Sequence, residues 1–143
     1  MINGGAMKRV AILTAAGAAA MLALTAAQQP GALGVASPGL WEISGVPGKS
    51  PVRECVGNLA VLAQFEHRGR SCARNVISSS ASSTIIEYRC GGAGFGRSKI
   101  DVITPRNLRI DTQGISDNLP FGYVLQARRV GDCPAKTSSA SAH

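Results

Sequence analysis

The chain has 143 residues, which is enough for one ordinary domain and too few for two. It carries 15 basic and 8 acidic residues, a net charge of +7, but the basic residues are dispersed and only 4% of residues are aromatic. This composition argues against a nucleic-acid-binding protein, in which a basic stripe is interleaved with aromatic side chains.

The N-terminus predicts a secretory signal peptide over residues 1–27. Lys8 and Arg9 precede an uncharged apolar run that ends in small residues at Thr25 and Ala27. The alternative is a membrane-spanning helix, but the run is barely long enough and leads into a Pro- and Gly-rich segment. Cleavage after Ala27 would leave 13 basic and 8 acidic residues, a net charge of about +5. It would place the mature chain, without a transmembrane segment, in the periplasm or outside the cell and away from nucleic acid.

The next stretch predicts a linker and a first hairpin. Residues 28–37 are rich in Pro, Gly and Ala, so we expect a flexible linker there. The sequence LWEIS at residues 40–44 is the first strand signal. Pro47 and Gly48 then suit a type II turn, which would lead into a second strand over residues 51–56.

A short helix is predicted between Cys55 and Cys72. Asn58 can cap its N-terminus and Gly69 can end it. Three apolar side chains would then face the core: Leu59, Leu62 and Phe65.

A hairpin is predicted next, from residues 73–79 and 84–90 around a serine-rich loop. If it is centred on Ala81, Cys72 lies directly opposite Cys90, because 81 − 72 and 90 − 81 are both 9. Directly opposed residues have Cβ atoms about 4.5–5.5 Å apart, close to the reach of a disulfide.

The four cysteines predict two disulfides, because an even count is typical of exported domains. Three connectivities are open, and the hairpin register favours Cys72–Cys90, which leaves Cys55–Cys133. Zinc binding is the alternative, but it favours close pairs such as C-x-x-C, whereas the spacings here are 17, 18 and 43.

The Gly-rich stretch CGGAGFGRS, residues 90–98, resembles a phosphate-binding loop only superficially. It lacks the Gly-Lys-Ser/Thr ending, and no helix pattern follows. We therefore predict a flexible turn between strands.

A second hairpin and a last strand complete the predicted sheet. With residues 104–106 as the connection, Ile103 opposes Asn107 in the hairpin that follows. The same register pairs aliphatic residues on one face and opposite charges on the other. The predicted pairs are Val102–Leu108, Ile100–Ile110, Asp101–Arg109 and Lys99–Asp111. The last strand is expected over residues 121–130, and a disordered tail over residues 135–143.

Residues at both ends of the predicted domain resemble those of a known family. PGLWEIS (residues 38–44), the scattered cysteines and ARRVGDCP (residues 127–134) are similar to the domain-of-unknown-function (DUF) family 3617, small exported proteins that are mostly proteobacterial. The resemblance covers residues 38–134 and implies export and a compact β-rich domain. It carries no catalytic or ligand residue. The serine-rich hairpin loop and the tail depart from the family.

Arg129 and Trp41 are the candidate ligand or partner contacts. Arg128 and Arg129 are neighbours in a strand, so they point to opposite faces, and Arg129 continues the core face at its rim. There it can bury its methylenes and keep its charge in water, or pair with Glu42 or Glu87. The alternative is a bidentate site for a carboxylate or phosphate. Trp41, the single tryptophan, is a candidate core anchor or ligand contact.

Catalytic residues are few. His67 is the single histidine of the predicted domain, and Glu66 and Arg68 beside it suggest a solvated helix end. No G-x-S-x-G motif supports a serine nucleophile, and no His, Asp or Glu cluster suggests a metal. We therefore expect no enzyme activity, metal or cofactor.

Together these patterns predict a mainly β domain over residues 38–134. We expect a single antiparallel, strongly curved or partly barrel-like sheet of about six strands, with one short helix and two disulfides. The expected function is a monomeric, non-catalytic binding or accessory domain that contacts an envelope protein. One alternative is a carrier for a small apolar or anionic ligand, held in the concave sheet face by Arg129. The other is a small envelope hydrolase that uses His67.

Overall fold

The computed structural model describes residues 31–92 and 94–135. This part of the chain forms one antiparallel sheet and two short helices. The strands are β1 (Gly39–Ser44), β2 (Val52–Val56), β3 (Cys72–Ser79), β4 (Ser83–Cys90), β5 (Gly94–Thr104), β6 (Asn107–Ser116) and β7 (Leu119–Gly131). The helices are α1 (Ala32–Val35) and a 3-10 helix, Leu59–His67. The predicted signal peptide, residues 1–27, and residues 136–143 of the predicted tail lie outside the described residues.

The sheet is a meander to which the first hairpin is added. Its strand order is β2-β1-β7-β6-β5-β4-β3, so the five consecutive strands β3 to β7 lie side by side and β1 pairs with β7. All seven predicted segments form strands, which makes the count seven rather than about six. The edge strands β2 and β3 do not pair with each other within the described sheet, so it is open rather than closed into a barrel.

The turn between β1 and β2 has the hydrogen bond and the glycine conformation of the predicted type II turn. The backbone N–H of Lys49 donates to the carbonyl of Val46 over 3.1 Å. Gly48 has a φ of +70°, the left-handed conformation that the second central residue of a type II turn needs.

The register of the β3–β4 hairpin is confirmed where it bears on the disulfide. Cys72 lies opposite Cys90, and the pairing continues to Val76 opposite Ile86. A bulge then shifts the register by one residue before Ser78.

The β5–β6 hairpin also has the predicted register over most of its length, with Ile100 opposite Ile110. The expected pairing of Ile103 with Asn107 is wrong, because Thr104 pairs with Asn107 and Ile103 bulges out, 64% exposed. The Thr104 hydroxyl accepts hydrogen bonds from the Arg106 N–H and the Asn107 side-chain amide. These bonds close a turn one residue tighter than predicted.

The core lies between the 3-10 helix and one face of the sheet. The Asn58 side chain caps this helix by accepting from the Ala60 N–H over 3.0 Å, and Gly69, just beyond its end, has a φ of +78°. The three side chains predicted to face inward are buried. The largest buried apolar side chains are Trp41, Ile43, Val56, Leu59, Leu62, Phe65, Ile86, Ile100, Leu108, Ile110 and Leu125.

The part of the predicted linker that the structure describes, residues 31–37, packs against the domain. Ala32 is fully buried in α1, and its N–H donates to the Ser80 carbonyl over 2.9 Å. The Ser37 N–H donates to the Pro105 carbonyl over 2.9 Å. Alanine has a small side chain, so this segment can pack closely against the sheet. A segment whose composition suggests a linker therefore forms a short helix that packs on the domain.

The opposite face of the sheet is exposed and holds paired charges. Glu42 binds both Arg53 and Arg128 over 3.1 Å, and these hydrogen bonds lower the pKa of its carboxyl group. Burial alone would raise the pKa of Asp101, but hydrogen bonds from Lys99 and Ser83 and the nearby Arg109 charge lower it overall. We define this surface as the outer face and the helix-covered one as the core face.

Both disulfides have the predicted connectivity. Cys55–Cys133 joins Cα atoms 5.4 Å apart, and Cys72–Cys90 joins Cα atoms 4.2 Å apart. Two such bonds are compatible with an oxidising extracellular compartment. No helix within residues 31–92 and 94–135 has both the length and the apolar character to cross a membrane.

Candidate functional site

Arg129 lies at the rim of the core face and is held by its own chain. Its Nε donates to the Pro38 carbonyl over 2.8 Å, and its Nη2 donates to Asp132 over 2.5 Å. The alternative in which Arg129 pairs with Glu42 or Glu87 is wrong. Glu42 stands opposite Arg128 in the register, so strand alternation places Glu42 on the outer face and the Arg129 side chain on the core face.

Trp41 is a core residue. Its side chain is 0% exposed, and its indole N–H donates to the Ser37 carbonyl over 3.1 Å. Of its two predicted roles, the structure therefore places it in that of the core anchor, with no surface left for a ligand.

His67 is buried, so the expected solvated helix end is wrong. The residue is only 3% exposed, and its Nδ1 shares a 3.0 Å hydrogen bond with the Tyr88 hydroxyl. Its Nε2 has no hydrogen-bond partner among the residues that the structure describes. The last turn of the 3-10 helix points the imidazole at the sheet rather than at solvent.

The imidazole packs against two aromatic rings of the sheet, which flank a pair of glycines. Tyr88, Gly96, Gly114 and Phe121 are direct neighbours across β4 to β7. The His67 ring lies between the two aromatic rings, with centroids 5.5 Å from Tyr88 and 5.9 Å from Phe121. A Cβ on Gly96 would lie 2.5 Å from the Tyr88 hydroxyl. We call these four sheet residues the glycine row.

The Gly-rich stretch is therefore only partly the predicted turn. Gly91 and Gly92 form a turn, whereas Gly94 and Gly96 belong to β5. A Cβ on Gly94 would lie 2.6 Å from His67 Nε2. Glycine in the interior of a strand is typical of a place where another group approaches closely, and here that group is the imidazole.

The two tyrosines of the chain both lie near Glu66. The Tyr123 hydroxyl donates to Glu66 over 2.5 Å. Burial, this hydrogen bond and the Glu66 charge raise the pKa of Tyr123 above its ordinary value of 10. Burial and, to a smaller extent, the Glu66 charge raise the pKa of Tyr88 as well.

These raised tyrosine pKa values predict loss of stability in alkali. The folded state retains both phenol protons above pH 10, where the unfolded chain releases them, so stability falls as the pH rises. Each tyrosine contributes a slope of about 1.4 kcal/mol per pH unit. Urea unfolding at several alkaline pH values measures the slope, which should halve in Tyr123→Phe. Tyrosinate absorbance that appears in the folded protein near pH 10 would contradict the assignment.

The outer face carries a depression of about 500 Å³ directly behind the glycine row. Side chains alternate along each strand, so the neighbours of the row's glycines point outward. We define the Arg–Phe groove by the outward side chains that line this depression: Glu87, Arg89, Phe95, Arg97, Gln113, Ile115 and Pro120. Phe95 is 45% exposed, and the Arg89 guanidinium lies over its ring, 5.4 Å from the centroid. Arg97 pairs with Glu87 over 3.5 Å.

A second, smaller depression of about 360 Å³ lies between the β1–β2 hairpin and the end of the 3-10 helix. Val52 and Phe65 form apolar walls, and Lys49 and Glu66 add opposite charges. Neither depression is lined by Arg129 or Trp41.

The groove residues were missed in the sequence, although a signal for them existed. In the run Gly94-Phe95-Gly96-Arg97, the glycines and the larger residues alternate, which is the pattern of a strand with two different faces.

Within residues 31–92 and 94–135, no three His, Cys, Asp or Glu side chains come together as metal ligands. No family model, curated protein or solved structure matches the chain.

Proposed function

We propose that this chain is a small exported, non-catalytic binding or accessory domain that acts as a monomer in the periplasm or outside the cell, and that it belongs to DUF family 3617. The observation that carries the binding role is the Arg–Phe groove. Its volume of about 500 Å³ lies in the range of ligand sites, about 300–1,000 Å³. An aromatic ring exposed on a sheet face is also a common anchor for binding partners.

The environment of His67 supports a non-catalytic role. A general base must reach its substrate, but this imidazole is buried under the 3-10 helix and lies between Tyr88 and Phe121. Burial of the main acid–base candidate leaves the hydrolase alternative without an observation that favours it.

Export is supported by two independent features. The pattern of residues 1–27 is that of a signal peptide, and both disulfides are of the kind that persist in oxidising compartments.

A carrier for a small ligand is the second candidate function, and its site lies on the outer face rather than on the core face. The core face is filled by the 3-10 helix, and the Arg129 guanidinium is occupied by Pro38 and Asp132. The exposed groove, with Arg89 and Phe95, is the observation that favours a carried ligand.

Native mass spectrometry of the chain recovered from the periplasm of an expressing Gram-negative cell, after cross-linking in the cell, tests the proposal. We expect the mass of residues 28–143, less four hydrogens for two disulfides, with a bound small molecule or protein. A small molecule favours the carrier, and a protein favours the accessory domain. An uncleaved chain or free thiols would contradict export. A chain that is always empty and alone would contradict a binding role.

A further inference from the structure

We infer that the Arg–Phe groove binds a small organic carboxylate, with its apolar body on Phe95 and its anionic group between Arg89 and Arg97. The inference rests on the proposed binding function and adds the site and the class of ligand. Three features of the groove carry it: a free cation, an apolar row beside it, and a net charge that matches one anion.

Arg89 supplies the free cation. It forms no ion pair within residues 31–92 and 94–135, whereas most other charged side chains on the outer face do. Its guanidinium instead stacks over Phe95, 5.4 Å from the ring centroid, which holds the charge at the groove. A guanidinium held by its flat face keeps the N–H groups along its edges available, so it can donate hydrogen bonds to a carboxylate.

Arg97 supplies a second donor that is only weakly occupied. Its partner Glu87 lies 3.5 Å away, and both side chains are about half exposed (49% and 47%). Exposed pairs of this kind contribute little, so a ligand carboxylate can compete with Glu87 for Arg97. Arg89 and Arg97 lie on adjacent strands and are diagonal neighbours, close enough for one anion to contact both.

The apolar body has its own surface. Phe95, Ile115 and Pro120 are direct neighbours across β5, β6 and β7 and form an apolar row on the outer face. Arg89, in β4, lies at the end of this row opposite Phe95, and the next row holds Glu87, Arg97 and Gln113. Apolar side chains with Arg89 at one end, beside a row that holds Arg97, match a ligand with an anionic end and an apolar end.

The charge balance favours a monoanion. Two arginines and one glutamate give the groove a net charge of +1, which complements a single carboxylate. A phosphate monoester would bring a second negative charge next to Glu87. Elsewhere on the face the acidic side chains already have basic partners, as with Glu42 between Arg53 and Arg128.

Titration of the isotope-labelled chain with phenylbutyrate, followed by amide proton–nitrogen spectra at neutral pH, tests the site. We expect saturable shifts at residues 87–89, 95–97 and 113–115, with a Kd of about 1 mM for a ligand of this size. Butyrate has the charge without the ring, and phenylbutanol has the ring without the charge. Each should bind at least about tenfold more weakly.

Variants assign the binding to the groove. Arg89→Gln and Phe95→Ala should each weaken phenylbutyrate binding about fivefold, because they remove a charge-assisted donor and the stacking surface respectively. Arg109→Gln is the matched control, since Arg109 lies on the same face, paired with Asp101 and Asp111, and outside the groove. It should leave the Kd unchanged. All three changes are at solvent-accessible positions, and the amide spectra show whether each variant is folded.

The inference is overturned if phenylbutyrate causes no shifts at about 10 mM, ten times the expected Kd. Shifts elsewhere, equal binding of phenylbutanol, or equal weakening by Arg109→Gln would also overturn it. If phenylbutyrate fails while the periplasmic chain carries another occupant, the carboxylate class is wrong and the binding function stands. If phenylbutyrate fails and that chain is also empty and alone, both proposals are contradicted.

Discussion

Replacing Cys55 and Cys133 together by serine is expected to lower the free energy of unfolding of the oxidised protein by about 4.5 kcal/mol. The disulfide between them spans 78 residues, most of the described chain, and it ties the edge strand β2 to the segment after β7. A cross-link over so long a loop removes many conformations from the unfolded chain, and the predicted stabilisation grows with the logarithm of the loop length.

The second disulfide provides a matched comparison. Cys72–Cys90 spans only 18 residues within one hairpin, so replacing both cysteines by serine should cost about 3.2 kcal/mol. Urea unfolding of the two double variants and the wild type, each made in an oxidising compartment, measures the difference. The ranking depends on the loop lengths alone, so equal losses would contradict the chain-entropy argument.

Reduction is the second control. When the protein is reduced, the wild type and both double variants should have nearly the same stability, because the cross-links are then absent from all three. A variant that remains destabilised after reduction would show that its cysteines act through packing. The same measurement bears on export, since the benefit exists only where the thiols are oxidised.

The hairpin registers could be predicted because each depends on residues close in sequence. In β5 and β6, aliphatic pairs such as Ile100–Ile110 and the charge pair Asp101–Arg109 independently specify one alignment. The error at Ile103 has a local cause as well. The Thr104 hydroxyl closes the turn by hydrogen bonds that residue patterns do not reveal.

The burial of His67 could not be predicted, because its cause is distant in sequence. The imidazole is flanked by polar neighbours on its own helix, which suggests solvent exposure. The groups that enclose it come from β4, β5 and β7: the Tyr88 and Phe121 rings pack against it, and a Cβ on Gly94 would lie 2.6 Å from its Nε2. The pairing of Arg129 with Glu42 fails for a different reason: strand alternation places Glu42 on the other face, and Arg129 binds Asp132, three residues along the chain.

The glycine row also explains why the candidate site lies where it does. On the core face its Tyr88 and Phe121 rings pack against His67, and on the outer face the side chains of neighbouring strand positions form the Arg–Phe groove. The buried histidine and the exposed groove are therefore two sides of one thin part of the sheet. We therefore expect a substitution at Gly114 to lower the free energy of unfolding as much as the truncation of a large buried side chain would.

Replacing Gly114 by alanine is expected to lower the free energy of unfolding by about 3 kcal/mol. The new Cβ would contact the backbone carbonyl of Phe95 and lie 2.6 Å from the Gly96 Cα and 2.9 Å from the Phe121 ring. Two of these three obstacles are backbone atoms of the paired strand β5, which cannot rotate away as a side chain does. Relief therefore requires β5 and β6 to separate locally.

Gly122→Ala is the matched control for this steric argument. Gly122 lies in the neighbouring strand β7, and a Cβ there would meet its nearest atoms at 3.8 Å and 3.9 Å, which is ordinary van der Waals contact. We expect a change within about 0.5 kcal/mol, because the smaller entropy of the unfolded chain offsets minor losses. Urea unfolding of both variants measures the contrast. Equal stability of the two variants would contradict the close approach of β5 to Gly114.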